Sequence, residues 1–179
     1  HSNESKFDVE ENLRRYGLRP IQTLERLGMF DVPKTLLAHC VWADSDEIDI
    51  LKQYQVGVAH NPISNMKLAS GAAPIADMLA KGIAVGLGTD GEKENNNLDM
   101  FEEMKTASLL AKFSSLDAAS LDSWSVCQMA TKLGAKALGM QDQIGSIEAG
   151  KLADLIVVNT ATPRMTPLID QGELFNRTN

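Results

Sequence analysis

Five side chains in this sequence could carry hydrolytic chemistry: His1, Glu4, His39, His60 and Asp90. Imidazoles and carboxylates together make the N/O donor set that holds zinc and related divalent ions. Such a site activates water when it combines metal ligands, an acid–base group and an open coordination position. His1 and Asp90 are the candidate ligands, and Glu4, one helical turn after His1, could reach a substrate bound above the ion. Each residue alone also has an ordinary structural reading. Asp90 lies in Thr89-Asp90-Gly91, which is common turn chemistry. His39 closes an apolar run, as a satisfied core histidine would, and His60 precedes Asn61-Pro62, a turn former. Glu4 suits the solvated start of a helix. Their shared placement at the ends of successive strands is what favours chemistry.

The elements that must position them alternate. Lys6 to Tyr16 reads as a helix ended by Gly17, and Pro20 starts a second helix through Leu27, closed by Gly28. Thr35 to Cys40 is a nearly continuous apolar run, the pattern of a strand buried on both faces. A helix over Asp46 to Tyr54, capped by Asp44 or Ser45, leads to a strand over Gln55 to His60. A polar loop from Asn61 to Gly71 precedes a helix over Ala73 to Lys81 and a buried strand over Ile83 to Leu87. Gly88 stops that strand, and Asp90 sits just beyond it. A loop over Gly91 to Asn97 leads into helices at Leu98 to Lys112, Leu121 to Leu133 and Ala135 to Leu138. Ile144 to Lys151 is rich in turns, Ala153 to Val158 reads as a further strand, and the tail from Thr160 shows no element.

This alternation argues an α/β chain with a parallel sheet and helical crossovers. In a parallel barrel the C-terminal strand ends share one face, where the chemistry sits. Three barrel-type strands, with the lip of a fourth before His1, set against eight strands and about 250 residues for a complete barrel, make this the second half of one. The chain opens without Met, so it is expected to be a processed product or a piece of a longer protein.

A formal net charge of −7 disfavours non-specific binding to nucleic acid or anionic lipid. No apolar run is long enough to span a bilayer and no signal peptide opens the chain, so a membrane role is disfavoured and a cytoplasmic location expected. Cys40 and Cys127 lack metal-ligand spacing and read as reduced thiols.

The motifs resemble the amidohydrolase superfamily, in its branch of S-adenosylhomocysteine/5′-methylthioadenosine deaminases and triazine chlorohydrolases. The resemblance is carried by His1-x-x-Glu4, Leu37-Ala38-His39-Cys40, His60-Asn61-Pro62-x-Ser64-Asn65-x-Lys67-Leu68-x-Ser70-Gly71, Gly88-Thr89-Asp90-Gly91 with Asn95 to Met100, and Ile144-Gly145-Ser146-Ile147-Glu148-x-Gly150-Lys151-x-Ala153-Asp154-Leu155. It implies the C-terminal half of a metal-dependent (β/α)8 TIM barrel over residues 1–140. Residues 141–179 would then be the connection into a flanking β-sandwich, incomplete here.

It further implies that His1 and Asp90 hold one divalent metal, zinc with iron or manganese as alternatives. Glu4 resembles the acid that protonates the substrate ring, and His39 the residue that steadies the attacking water and the tetrahedral centre. Asp90 resembles the ligand that also takes the water's proton, and Ser64 and Asn65 join Glu4 and His39 as substrate contacts. The implied reaction is hydrolytic deamination of an adenine-type nucleoside, with a small-molecule substrate and a homo-oligomeric full-length protein. The alternatives are a chlorohydrolase or aminohydrolase of a triazine or free base, and a fragment inactive without its N-terminal half.

Two departures stand out. The His-x-His motif of the family's first strand is absent, so this stretch alone is expected to bind metal weakly and to be inactive. Glu92-Lys93-Glu94 places two acids after Asp90. That is either a solvated loop or a mouth favouring a cationic or amine-bearing substrate.

Overall fold

A computed structural model describes residues 1–163. Helix α1 (Lys6–Tyr16) starts at a capping box in which Ser5 and Asp8 exchange hydrogen bonds, and ends at Gly17, whose φ of 70° suits a left-handed cap. Helix α2 (Pro20–Arg26) uses Pro20 at its first position, where no amide hydrogen is needed. Three short parallel strands follow, β1 (Leu36–Ala38), β2 (Gly57–His60) and β3 (Val85–Leu87), adjacent in that order. Leu37 pairs with Val58 and Ala38 with Ala59; Val58 pairs with Val85 and His60 with Leu87. Helix α3 (Ser45–Gln53) crosses from β1 to β2, and α4 (Pro62–Lys67) and α5 (Ile75–Ala80) from β2 to β3. After β3 come α6 (Glu92–Asn95), α7 (Met100–Ser115), α8 (Ser123–Ala130) and α9 (Lys132–Ala137).

The start of the chain extends the sheet. Ser2 forms a parallel bridge with His39: its amide donates to the Ala38 carbonyl (3.2 Å) and its carbonyl accepts from the Cys40 amide (3.0 Å). This is the fourth lip anticipated at His1. The core sits between sheet and helices, with Leu37, Val58, Val85, Ile48, Leu51, Met78 and Met129 all buried. Two glycines let α9 lie directly on the strands. A Cβ at Gly57 would overlap the Ala137 carbonyl, and one at Gly86 would come within 2.8 Å of the Gly134 Cα.

The structure corrects three expectations. The loop over Asn61 to Gly71 contains α4, because Pro62 presets the first helical turn and the polar Ser64 and Asn65 find partners inside the fold. The loop over Gly91 to Asn97 likewise contains the one-turn helix α6, closed by Asn96 at φ 74°. Ala153 to Val158 is not a strand. The segment is irregular and exposed, with Val157 99% accessible, and a strand needs a neighbouring backbone that the described residues do not offer it. Most of the tail from Thr160 lies outside the described residues. Cys40 and Cys127 are free thiols, and burial pushes the Cys40 thiol up to about 12.

One buried carboxylate ties the first turn to the rest. Glu47 is fully buried on α3 and accepts from the Asn3 amide (3.0 and 2.8 Å), the Ile21 backbone N–H (3.0 Å) and the Arg19 guanidinium (2.8 Å). We predict that Glu47→Ala lowers unfolding free energy by about 3–5 kcal/mol, since it strands buried donors and the Arg19 charge. A loss below about 1 kcal/mol in urea unfolding would refute this clamp. His60 supplies a second prediction. Complete burial, with His39 nearby, depresses its pKa from 6.5 to about 3. The unfolded chain therefore binds a proton below about pH 6.5 that the folded chain refuses, and stability falls as pH drops from about 6.5 towards 3. His60→Gln is expected to flatten this acid limb in pH-dependent melting; an unchanged slope would show that His60 does not contribute to it.

Candidate active site

The strand ends converge as the alternation requires, and they do so through unusual backbone. Asn3 (φ 51°), His39 (70°), Cys40 (50°) and Asp90 (59°) are non-glycine residues in the left-handed region. Such conformations persist only where surrounding contacts over-determine them, and they concentrate at functional sites. Here the contacts are identifiable. The His39 amide donates to the Ala59 carbonyl (3.0 Å), the Trp42 amide to the Asn3 carbonyl (2.9 Å), and the Gly88 amide to the His60 carbonyl (2.9 Å). Gly88 lets the Asn61 side-chain oxygen approach closely; a Cβ there would force that oxygen to shift.

His39 is the centre of the group. Its side chain is fully buried, and Nδ1–H donates to Asn65 Oδ1 (2.9 Å). With Asn65 accepting, the neutral ring carries its lone pair on Nε2. That atom is buried and has no hydrogen-bond partner. It faces Glu4 Oε2 and Asp90 Oδ2, each 3.8 Å away. These separations exceed a hydrogen bond and leave room for a bridging atom. The His1 ring stands edge-on to the His39 ring at 4.6 Å between centroids, and His1 Nδ1 lies 3.7 Å from Glu4 Oε2. Ligand atoms of His1, Glu4 and His39 all fall within 4.8 Å of one another. Asp90 stands outside that trio but looks at the same His39 nitrogen.

Helix α4 supplies the support. Ser64 Oγ donates to Asp90 Oδ2 (2.6 Å), and Asn65 holds His39. Both α4 side chains, read from sequence as substrate contacts, are buried and bonded to the site's own residues. Asn65 Nδ2 remains buried without a partner, so one donor is left over. His60 is not a turn residue: it is buried at the end of β2, and its Nδ1 also has no partner. Beyond Asp90, Glu92 and Lys93 are exposed, and the Lys67 ammonium donates to the Lys93 carbonyl (2.6 Å), which brings a positive charge to the acidic loop.

Sequence reading missed the residues behind the site. Glu47 had a signal, because Asp44-x-x-Glu47 is a capping-box spacing, and both halves of the box form. Asn3 had none. Glu103 was legible only as an acid inside the Met- and Leu-rich helix α7. It is buried, accepts from the Ile63 amide (3.3 Å) and from Asn95 Nδ2, and burial pushes its carboxyl up to about 7.

With this geometry in view, the likenesses to known proteins are informative. A 5-methylthioadenosine/S-adenosylhomocysteine deaminase from Syntrophomonas wolfei is 49% identical over 170 residues, 95% of this chain and 39% of that protein. A 5′-deoxyadenosine deaminase from Methanothermobacter thermautotrophicus is 49% identical over 167 residues, 93% of this chain and 38% of that protein. The chain thus spans about two fifths of the length of these curated relatives. Among solved structures, an adenosine deaminase from Xanthomonas campestris with bound zinc superposes at TM-score 0.91 and 37% identity, over 99% of this chain and 41% of that one. An atrazine chlorohydrolase from Arthrobacter aurescens complexed with zinc gives 0.87 and 26%, over 96% and 38%. The fold is therefore that of TIM-barrel-type metal hydrolases, of which the parallel sheet and its helices form a part. The sequence pattern of the amidohydrolase family matches residues 1–178, and the chain belongs to that family.

Proposed function

We propose that the chain is the C-terminal half of a (β/α)8 metal-dependent deaminase acting on an adenine-type nucleoside, of the S-adenosylhomocysteine or methylthioadenosine kind. Residues 1–140 form the half-barrel and the stretch from 141 leads towards a flanking β-sandwich, its part beyond residue 163 lying outside the described residues. One observation carries the reading: His39 Nε2 is buried, unpartnered and aimed at two carboxylates, each too far away to bond to it. Buried polar atoms are rarely left so unless a ligand completes them. Ligand atoms of His1, Glu4 and His39 cluster closely enough to hold a divalent ion, Asp90 faces the same His39 nitrogen, and zinc in two structural relatives makes zinc the first choice. Such an ion, when bound, supplies Lewis acidity that brings the pKa of water towards neutrality.

The roles follow from placement. His1 and Asp90 are the metal ligands contributed by this chain. Asp90 takes the proton of the attacking water, and the Ser64 hydroxyl keeps one carboxylate oxygen oriented for this. His39, its Nδ1–H held by Asn65, presents the Nε2 lone pair as an acceptor that orients the attacking water towards the carbon that becomes tetrahedral. Glu4, partly buried and beside both histidines, protonates the ring nitrogen as the water attacks; the proton held by Asp90 passes to the amine, which departs as ammonia, and the hydroxyl proton returns to Glu4 as the carbonyl forms. The spare Asn65 amide hydrogens remain available to the substrate. Metal binding is completed by the rest of the barrel, so this stretch alone is inactive. The molecule works on a small substrate, as a homo-oligomer, in the cytoplasm; no helix among the described residues is long and apolar enough to cross a membrane.

The second reading, chloride release from a triazine, is favoured by the superposition on the atrazine chlorohydrolase. Ammonia and chloride release by the full-length zinc-loaded protein, on S-adenosylhomocysteine, methylthioadenosine, adenosine and a chlorotriazine, separates the two. Ammonia from the adenine-bearing compounds is the expected result, and chloride alone would transfer the assignment. Glu4→Gln is predicted to lower kcat by about 10²- to 10⁴-fold, the range for loss of a positioned acid; wild-type turnover in this variant would remove Glu4 from the chemistry. Dialysis against a chelator should abolish activity, and zinc should restore it. Full activity in metal-free protein would end the metal assignment.

A further inference from the structure

Among the buried titratable groups that the proposed chemistry leaves unused is Glu103 on α7. Its hydrogen bonds go to Ile63 and Asn95 and so touch both segments that hold Asp90. Its Oε2 accepts the Ile63 backbone N–H at 3.3 Å, at the start of α4 and next to Ser64. Its Oε1 accepts from Asn95 Nδ2, and the same Asn95 nitrogen donates to the Thr89 carbonyl at 2.8 Å. Thr89 immediately precedes Asp90, whose φ of 59° is held against its own preference. Ser64 in turn donates to Asp90 Oδ2 at 2.6 Å. The contacts close a ring: Glu103, Asn95, Thr89, Asp90, Ser64, Ile63 and back to Glu103.

We propose that Glu103 is a positioning residue for Asp90, fixing through Asn95 and Ile63 both the backbone that presents the carboxylate and the helix that orients it. The proposal rests on the reading of Asp90 as metal ligand and proton acceptor. Its physical content is a donor–acceptor constraint. Both groups facing Glu103 are N–H donors, so the position needs two acceptor oxygens, which only a carboxyl group supplies. A glutamine can accept from Ile63 with its oxygen, but its NH2 then faces the Asn95 NH2. Relief comes by flipping Asn95, which turns its oxygen onto the Thr89 carbonyl and releases the segment before Asp90. Glu103→Gln therefore preserves the shape of the core and disturbs Asp90. The group behind a metal ligand typically changes metal affinity or activity by about 10- to 100-fold when replaced.

The test uses the full-length protein, with wild type, Glu103→Gln, Glu103→Asp, Asn95→Ala and the Glu103→Gln/Asn95→Ala double variant. Zinc affinity is measured by competition with a chelating dye, together with kcat, KM and melting temperature. Glu103→Gln is expected to weaken zinc binding and lower kcat by about 10-fold or more, with KM within about threefold. Asn95→Ala should produce the same pattern. The double variant should be no worse than the stronger single one, because all cut one ring. Glu103→Asp keeps two acceptor oxygens and should recover part of the loss. Folded single variants with wild-type zinc affinity would overturn the proposal, as would losses that multiply in the double variant. Should Glu103→Gln fail to fold, Asn95→Ala against wild type decides on the same readouts. If wild type binds zinc but releases neither ammonia nor chloride, the deaminase reading fails, and the zinc affinities alone still decide the role of Glu103.

Discussion

A carboxylate sealed inside the protein, Glu47, governs where the reactive groups can stand. It is buried on α3, far along the chain from the first turn, yet it accepts two hydrogen bonds from Asn3. Arg19, the Ile21 amide and the Asp44 amide complete its coordination, and Arg19 also pairs with Asp44 at 2.6 Å and donates to the Trp42 carbonyl. A buried charge is tolerated only when its lone pairs are satisfied, so these partners are held as strictly as the carboxylate itself. Asn3 lies between His1 and Glu4. Pinning Asn3 therefore fixes the direction of both, even though His1 is largely exposed and Glu4 only partly covered.

The same arrangement recurs on the other side of the site. Asp90 is presented by a backbone that Asn95 and Glu103 hold from behind, and His39 by Asn65. Reactive side chains with open positions are surrounded by polar side chains whose hydrogen bonds are largely made. This division has an energetic logic. Unpartnered atoms such as His39 Nε2 can be kept ready only if the rest of the shell cannot collapse onto them. The left-handed backbone at Asn3, His39, Cys40 and Asp90 turns the chain sharply after the first bridge, β1 and β3.

Much of the frame was legible because it follows from local rules. Gly17 and Pro20 bound the first two helices where the residue types require. The apolar runs ending at His39, His60 and Leu87 became the three parallel strands, although only three or four residues of each satisfy the ladder. The failures have one cause. Ala153 to Val158 has the composition of a strand but no neighbouring backbone among the described residues to pair with. Helix α4 was hidden by the polar character of Ser64 and Asn65, which suggested a solvated loop when their partners were Asp90 and His39.

The sequence by itself supplied the candidate residues, their order, and the α/β alternation that brings strand ends to one face. Side-chain type and hydrophobic period are properties of the chain and need no partner to be read. Only the tertiary structure decided which polar residues converge on His39 Nε2 and which stand behind that cluster. It alone separated Glu4 from Glu47, and Asp90 from Glu103, as carboxylates of similar chemistry and different office. That distinction depends on burial and on donors contributed by distant segments, such as Asn3 to Glu47 and Ile63 to Glu103. No local pattern encodes a hydrogen bond between residues brought together by the packing of a helix on a sheet.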